Sequence, residues 1–134
     1  SEALNYYVKH LALGEKYMDN PNLSHGKIAA VIMERDYGVT DSDILNAVSF
    51  HTTGRPAMSL LEKIIYIADA VEPNRNYPGV DILRQAAEKD LDEACLLSLE
   101  RTIEYVRGQG LYLDTDTVDA RDYFKKNRRT ENGQ

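Results

Sequence analysis

The segment from His51 to Arg75, HTTGRPAMSLLEKIIYIADAVEPNR, holds the densest set of chemically useful side chains in this sequence. His51 stands just before a Gly54-Arg55-Pro56 turn. Asp69 follows eighteen residues later inside an apolar helical pattern, and Arg75 comes after a Glu72-Pro73-Asn74 break. One imidazole, one carboxylate and two guanidinium groups are the parts of a site that holds a metal ion and a phosphate. The planar fork of Arg meets two phosphate oxygens at once, and a hard carboxylate with imidazoles suits iron, manganese or zinc. With Leu61, Ile64, Ile65 and Ala68 read as the core face of the helix, Asp69 borders that face one turn from Ile65. A carboxylate buried there must be paired or must coordinate a cation. Its partner is then either a metal or one of Arg75 and Arg55.

Three further places could contribute. His25 follows Ser24, which reads as the N-cap of a helix, so the first-turn amides there favour an anion. Gly54 beside Arg55 lets the backbone approach a ligand closely. The loop Gly110, Leu111, Tyr112, Leu113, Asp114 and Thr115 offers amides to an anion or a base. His10 has no acidic partner at a ligand spacing and reads as a surface residue. Cys95, at a helical spacing with Ala94 and Leu97, reads as a core thiol. A single cysteine closes no internal disulfide, which fits a reducing cytoplasm.

The elements that must position these groups are all helical. The spacing predicts helices over Glu2–Leu13, Ser24–Tyr37 closed by Gly38, and from the Thr40-Asp41-Ser42-Asp43 box to Phe50. A Ser59…Glu62 capping box starts the helix that carries Asp69, and Pro73 ends it. Val80–Lys89 and Leu91–Arg107 follow, the latter with Leu91, Ala94, Cys95, Leu97, Ser98, Thr102 and Val106 inward. Thr115 or Asp116 caps a last helix carrying Val118, Tyr123 and Phe124. No segment alternates with period two, so an all-α single domain is expected.

Composition narrows the function classes. At 134 residues, 43% hydrophobic and 28% charged, the sequence has the balance of a globular domain with one core. A net charge of −6 argues against non-specific nucleic-acid binding, which needs clustered cations. It leaves room for a small phosphate ligand held by a local cluster. The basic run Lys125, Lys126, Arg128 and Arg129 reads as a solvated helix end. No apolar run reaches the ~18 residues of a membrane span, and no leader pattern is present.

Taken in order, Ser24-His25-Gly26, His51-Thr52-Thr53-Gly54-Arg55-Pro56, Glu62-Lys63-Ile64-Ile65-Tyr66-Ile67-Ala68-Asp69 and Glu72-Pro73-Asn74-Arg75 resemble the later part of an HD-domain phosphohydrolase, and specifically the YqeK family. The resemblance spans about His25 to Thr115. It implies an HD-like helical bundle around one or two divalent metals, iron first with manganese or zinc as alternatives. It also implies symmetric hydrolysis of diadenosine tetraphosphate to two ADP in the cytoplasm of a bacterium, and it leaves a homodimer open. By the same resemblance Asp69 is a metal ligand, and His25 and His51 are catalytic phosphate contacts or ligands of a second metal. Thr52, Arg55, Asn74, Arg75 and the 110–115 loop hold the ADP moiety. The family's first His and its His-Asp doublet have no counterpart in the 134 residues, and are expected upstream of Ser1. Two rivals remain: another HD-type nucleotidase or deoxynucleotide triphosphohydrolase, and a helical module that binds nucleotide without catalysis.

Overall fold

The computed structural model describes residues 2–131, with side chains for 2–128, and every regular element among them is helical. The helices are α1 (Glu2–His10), α2 (Pro21–Tyr37), α3 (Ser42–Ser49), α4 (Leu60–Val71), α5 (Val80–Lys89), α6 (Leu91–Gly108) and α7 (Thr115–Glu131), with a short 3-10 turn at Glu15–Tyr17. None of them is long and apolar enough to cross a membrane.

Local chemistry explains where they begin. Asn20 is the N-cap of α2 and Pro21 its first residue, so the proline's fixed φ starts the helix a turn earlier than Ser24. Ser24 therefore caps nothing; it is fully buried and its hydroxyl has no partner. Gly38 ends α2 at φ 68° and returns its N–H to the Met33 carbonyl, as its position predicts. Asp41 caps α3 by accepting from the Asp43 and Ile44 amides. The Ser59…Glu62 capping box forms as read. At α7 the cap is Asp114, whose Oδ1 accepts from the Asp116 amide at 2.8 Å; Thr115 and Asp116 are already helical.

Two apolar clusters hold the helices together. The larger joins Met58, Tyr66, Ile67, Leu83, Cys95, Leu99, Ala120 and Phe124, with α6 packed between α4, α5 and α7. The smaller joins Val8, Tyr17 and Ile28 from α1, the 3-10 turn and α2. Helix α3 lies between them, packing on α2 and α4. In α6 Ala94, Cys95 and Ser98 are buried as expected and Leu91 and Leu97 pack on the core, while Leu96, Leu99 and Ile103 are buried in addition.

The face of α4 is rotated from expectation. Glu62, Tyr66 and Ile67 are buried, whereas Leu60 is 64% and Ile64 44% exposed, with Ile65 and Ala68 also in the open. The stripe Leu60–Ile64–Ala68 has helical periodicity, but no described element packs over it. A helix that is apolar nearly all round has two candidate inner faces, and periodicity cannot choose between them.

Candidate functional site

His25 sits in the second turn of α2 and His51 just beyond the end of α3. Their Nε2 atoms are 2.9 Å apart, with the rings edge to face. His25 Nδ1 lies 2.7 Å from the Pro21 carbonyl, and His51 Nδ1 lies 2.6 Å from that of Val48. A carbonyl oxygen only accepts, so both Nδ1 atoms carry protons and donate. In neutral rings the facing Nε2 atoms would both be lone-pair acceptors. They can form a hydrogen bond only if one of them is protonated. The two Nε2 atoms thus converge on one point at a partly exposed edge.

Gly26 makes this approach feasible. A Cβ there would sit 2.9 Å from the Val48 carbonyl and 3.1 Å from His51 Nδ1. Any side chain would push α3 away from α2 and separate the imidazoles. The turn that follows His51 is fixed as well. Gly54 adopts φ 71°, and a Cβ there would press on Leu99. Arg55 then reaches back to Glu62 with Nε at 2.6 Å and Nη2 at 2.9 Å from the two carboxylate oxygens.

That pair changes the reading of Arg55. Its fork is taken by Glu62, which is only 2% exposed and also accepts from the Ser59 amide. Burial opposes ionisation of Glu62, but the Arg55 and Ser59 hydrogen bonds outweigh it and hold its carboxyl below the usual range. Arg55 is therefore a structural partner of the turn rather than a free phosphate ligand. The capping box marked Glu62 in the sequence; its second role as counter-charge to Arg55 had no local signal.

Asp69 differs from the expected buried carboxylate. Its side chain is 43% exposed, and Arg75 holds it, with Nη2 at 3.3 Å from Oδ1 and Nε at 3.0 Å from the Asp69 carbonyl. The ion-pair alternative stated for Asp69 is thus the geometry present. Among the described residues no three His, Cys, Asp or Glu side chains are grouped to hold one ion. His25, His51 and Asp69 do not make a self-sufficient metal centre, and these residues alone do not fit a divalent ion. Asn74 is exposed, its amide donating to Glu72 at 3.1 Å.

The 110–115 loop comes close to the histidine-bearing turn through α7. Thr117 Oγ1 donates to the Thr53 carbonyl at 2.9 Å, and Asp114 pairs with Lys16 at 3.1 Å. Asp114 is buried and serves as cap and counter-ion, whereas Gly110, Leu111, Tyr112 and Thr115 are exposed and Leu113 half-buried. Thr52 Oγ1 is buried without a partner. Lys27, two residues from His25, lies 3.3 Å over the Phe50 ring, and burial lowers its ammonium to about 8. In the sequence Gly26 entered only as part of the Ser24-His25-Gly26 motif and Lys27 not at all, because each acts through contacts with α3.

No family model matches the chain. It is 47% identical over 98 residues to the symmetrical bis(5'-nucleosyl)-tetraphosphatase of Bacillus subtilis, covering 72% of this chain and 53% of that protein. A protein of the same name from Staphylococcus aureus is 35% identical over 120 residues, covering 87% and 62%. The chain spans roughly half to three fifths of the length of these curated relatives. A solved structure from Clostridium acetobutylicum, described as a "predicted HD superfamily hydrolase involved in NAD metabolism", superposes with a TM-score of 0.85 at 44% identity. That match covers 94% of this chain and 68% of the other. With helices that overlay so closely and nearly half the residues shared, this chain belongs to the HD superfamily of hydrolases, among the YqeK-type members.

Proposed function

We propose that the chain carries the phosphate-handling part of a metal-dependent hydrolase that splits diadenosine tetraphosphate symmetrically into two ADP. The His25–His51 pair is the observation that carries this reading: two imidazole Nε2 atoms 2.9 Å apart on a partly exposed edge can both turn to one anionic oxygen. The names of the Bacillus and Staphylococcus relatives support the substrate class.

In this reading the pair binds non-bridging oxygens of the tetraphosphate. As water forms a new P–O bond and gives up a proton to solvent, the bridging P–O bond breaks, and a protonated Nε2 of the pair would donate to the oxygen of the departing ADP. Thr52, Arg75, Asn74 and the exposed part of the 110–115 loop hold the nucleotide. Asp69 would be one ligand of a divalent ion, iron with manganese or zinc as substitutes. The other donors would come from polypeptide beyond the described residues, which the greater length of the relatives supports. Bound there, such an ion neutralises phosphate charge and acidifies a water. The setting is cytoplasmic, and the net charge of −6 supports a nucleotide rather than a nucleic acid as partner.

Product stoichiometry tests the reaction. Two ADP per dinucleotide are expected in the presence of Fe²⁺ or Mn²⁺, whereas ATP plus AMP would overturn symmetric cleavage. The lack of a three-ligand group among the described residues favours a second reading, a nucleotide-binding module without catalysis. ADP binding with no turnover under any metal would select it.

A further inference from the structure

The C-terminal half of α2 and helix α1 border an open groove of about 180 Å³, lined by Tyr6, Tyr7, His10, Ile32, Arg35 and Asp36 among others. That is smaller than the ~300–1,000 Å³ of enclosed small-molecule sites, so a ligand there lies partly in the open. Tyr6 and His10, one turn apart, stack with ring centroids 5.5 Å apart and planes within 8°. Tyr7 stands edge-on to Tyr6 at 5.6 Å. Tyr6 is 61% exposed, so an aromatic face is open to a further ring. Among the described residues neither Arg35 nor Asp36 has a side-chain hydrogen bond or an ion pair.

The placement of the groove relative to the histidine pair follows from helix geometry. Ile32 and Asp36 are seven and eleven residues beyond His25, so all three lie along one side of α2. The rise from His25 to Arg35 is about 15 Å at ~1.5 Å per residue. One end of the line offers the facing imidazoles of His25 and His51. The other offers ring faces for stacking, a guanidinium for a phosphate and a carboxylate for ribose hydroxyls.

We propose that this groove is a second nucleoside site, taking the base and ribose at the far end of a dinucleoside polyphosphate whose phosphates lie on the His25–His51 pair. The proposal rests on the dinucleotide reading of the function. Arg35 meets the outer phosphate, Asp36 accepts from the ribose hydroxyls, and the base extends the Tyr6–His10 stack. A mononucleotide on the histidine pair is too short to use the groove.

The test is calorimetric binding of ADP and of a non-hydrolysable diadenosine tetraphosphate analogue to the whole chain and to Tyr6→Ala, Tyr6→Phe and Arg35→Ala. NMR signals of Tyr6, His10, His25 and His51 are followed in parallel. Tyr6→Ala and Arg35→Ala should each weaken the dinucleotide about tenfold, the scale of one stacking or charged contact. ADP binding should stay unchanged, and Tyr6→Phe should retain dinucleotide affinity. The dinucleotide should perturb all four residues, and ADP only the histidines. If both ligands perturb His25 and His51 alone, the groove proposal falls and the proposed function stands. If neither ligand binds the whole chain, both fall together.

Discussion

The Nε2 atoms of His25 and His51 face each other at 2.9 Å while both Nδ1 atoms donate to backbone carbonyls. The two rings therefore present their Nε2 atoms as one unit. His25→Ala or His51→Ala should each weaken ADP binding by about 1.5–3 kcal/mol, the range for a hydrogen bond to a charged group. The double variant should cost clearly less than the sum, since the second change removes a ring that has already lost its contact partner. Calorimetry on the four proteins measures this, and additive losses would mean that the rings bind independently.

Gly26→Ala should destabilise the chain by about 1–3 kcal/mol, the cost of forcing a methyl group into a packed contact. It should also reduce ADP affinity, because α3 must move away from α2. Gly108→Ala is the control: its Cβ would meet nothing within 4 Å, and it should be neutral or slightly stabilising. Urea midpoints for the two variants check the contrast. Equal effects would show that the α2–α3 contact tolerates a side chain.

Arg55→Ala leaves Glu62 buried and unpaired. It should cost about 3 kcal/mol at pH 7, the low end for a broken buried pair because Arg55 is one-third exposed. The sign of the pH dependence follows from the lowered Glu62 carboxyl. Its stabilising contribution is complete above the unfolded glutamate value of 4.5 and is lost as pH falls through the lower folded value. Removing Arg55 should flatten that acid-side loss. Denaturation curves from pH 3 to 7 measure both effects, and a change under about 1 kcal/mol at pH 7 would contradict them.

Arg75→Ala breaks an ion pair in which both side chains are nearly half exposed. Stability should change by less than about 1 kcal/mol, the usual range for surface pairs, while ADP affinity falls. Unfolding with unaltered affinity of the folded fraction would make Arg75 a purely structural partner of Asp69.

Cys95 is fully buried, and burial, with Asp92 nearby, pushes its thiol up to about 12. Iodoacetamide at pH 8 should leave it unmodified in the native protein and alkylate it once the chain is unfolded. Rapid native labelling, read by mass spectrometry, would place the thiol elsewhere than in the α4–α6–α7 core.

The helical character of the chain, the Ser59…Glu62 box, the Gly38 stop and the bounds of α5 were all legible in the sequence, because each depends on residues within a turn or two. So was the kinship carried by His25, His51, Asp69 and Arg75, which lies in residue types and order. Tertiary structure decided the rest. Whether Ile64, Ile65 and Ala68 or Tyr66 and Ile67 face inward depends on which helices come to pack against α4. Whether Arg55 meets a phosphate or Glu62 depends on how the turn at Gly54 is aimed. The 2.9 Å contact between His25 and His51 exists because Gly26 lets two helices approach where their backbones nearly touch. Local spacing records which groups are available; the distances between them depend on packing between segments far apart in the chain.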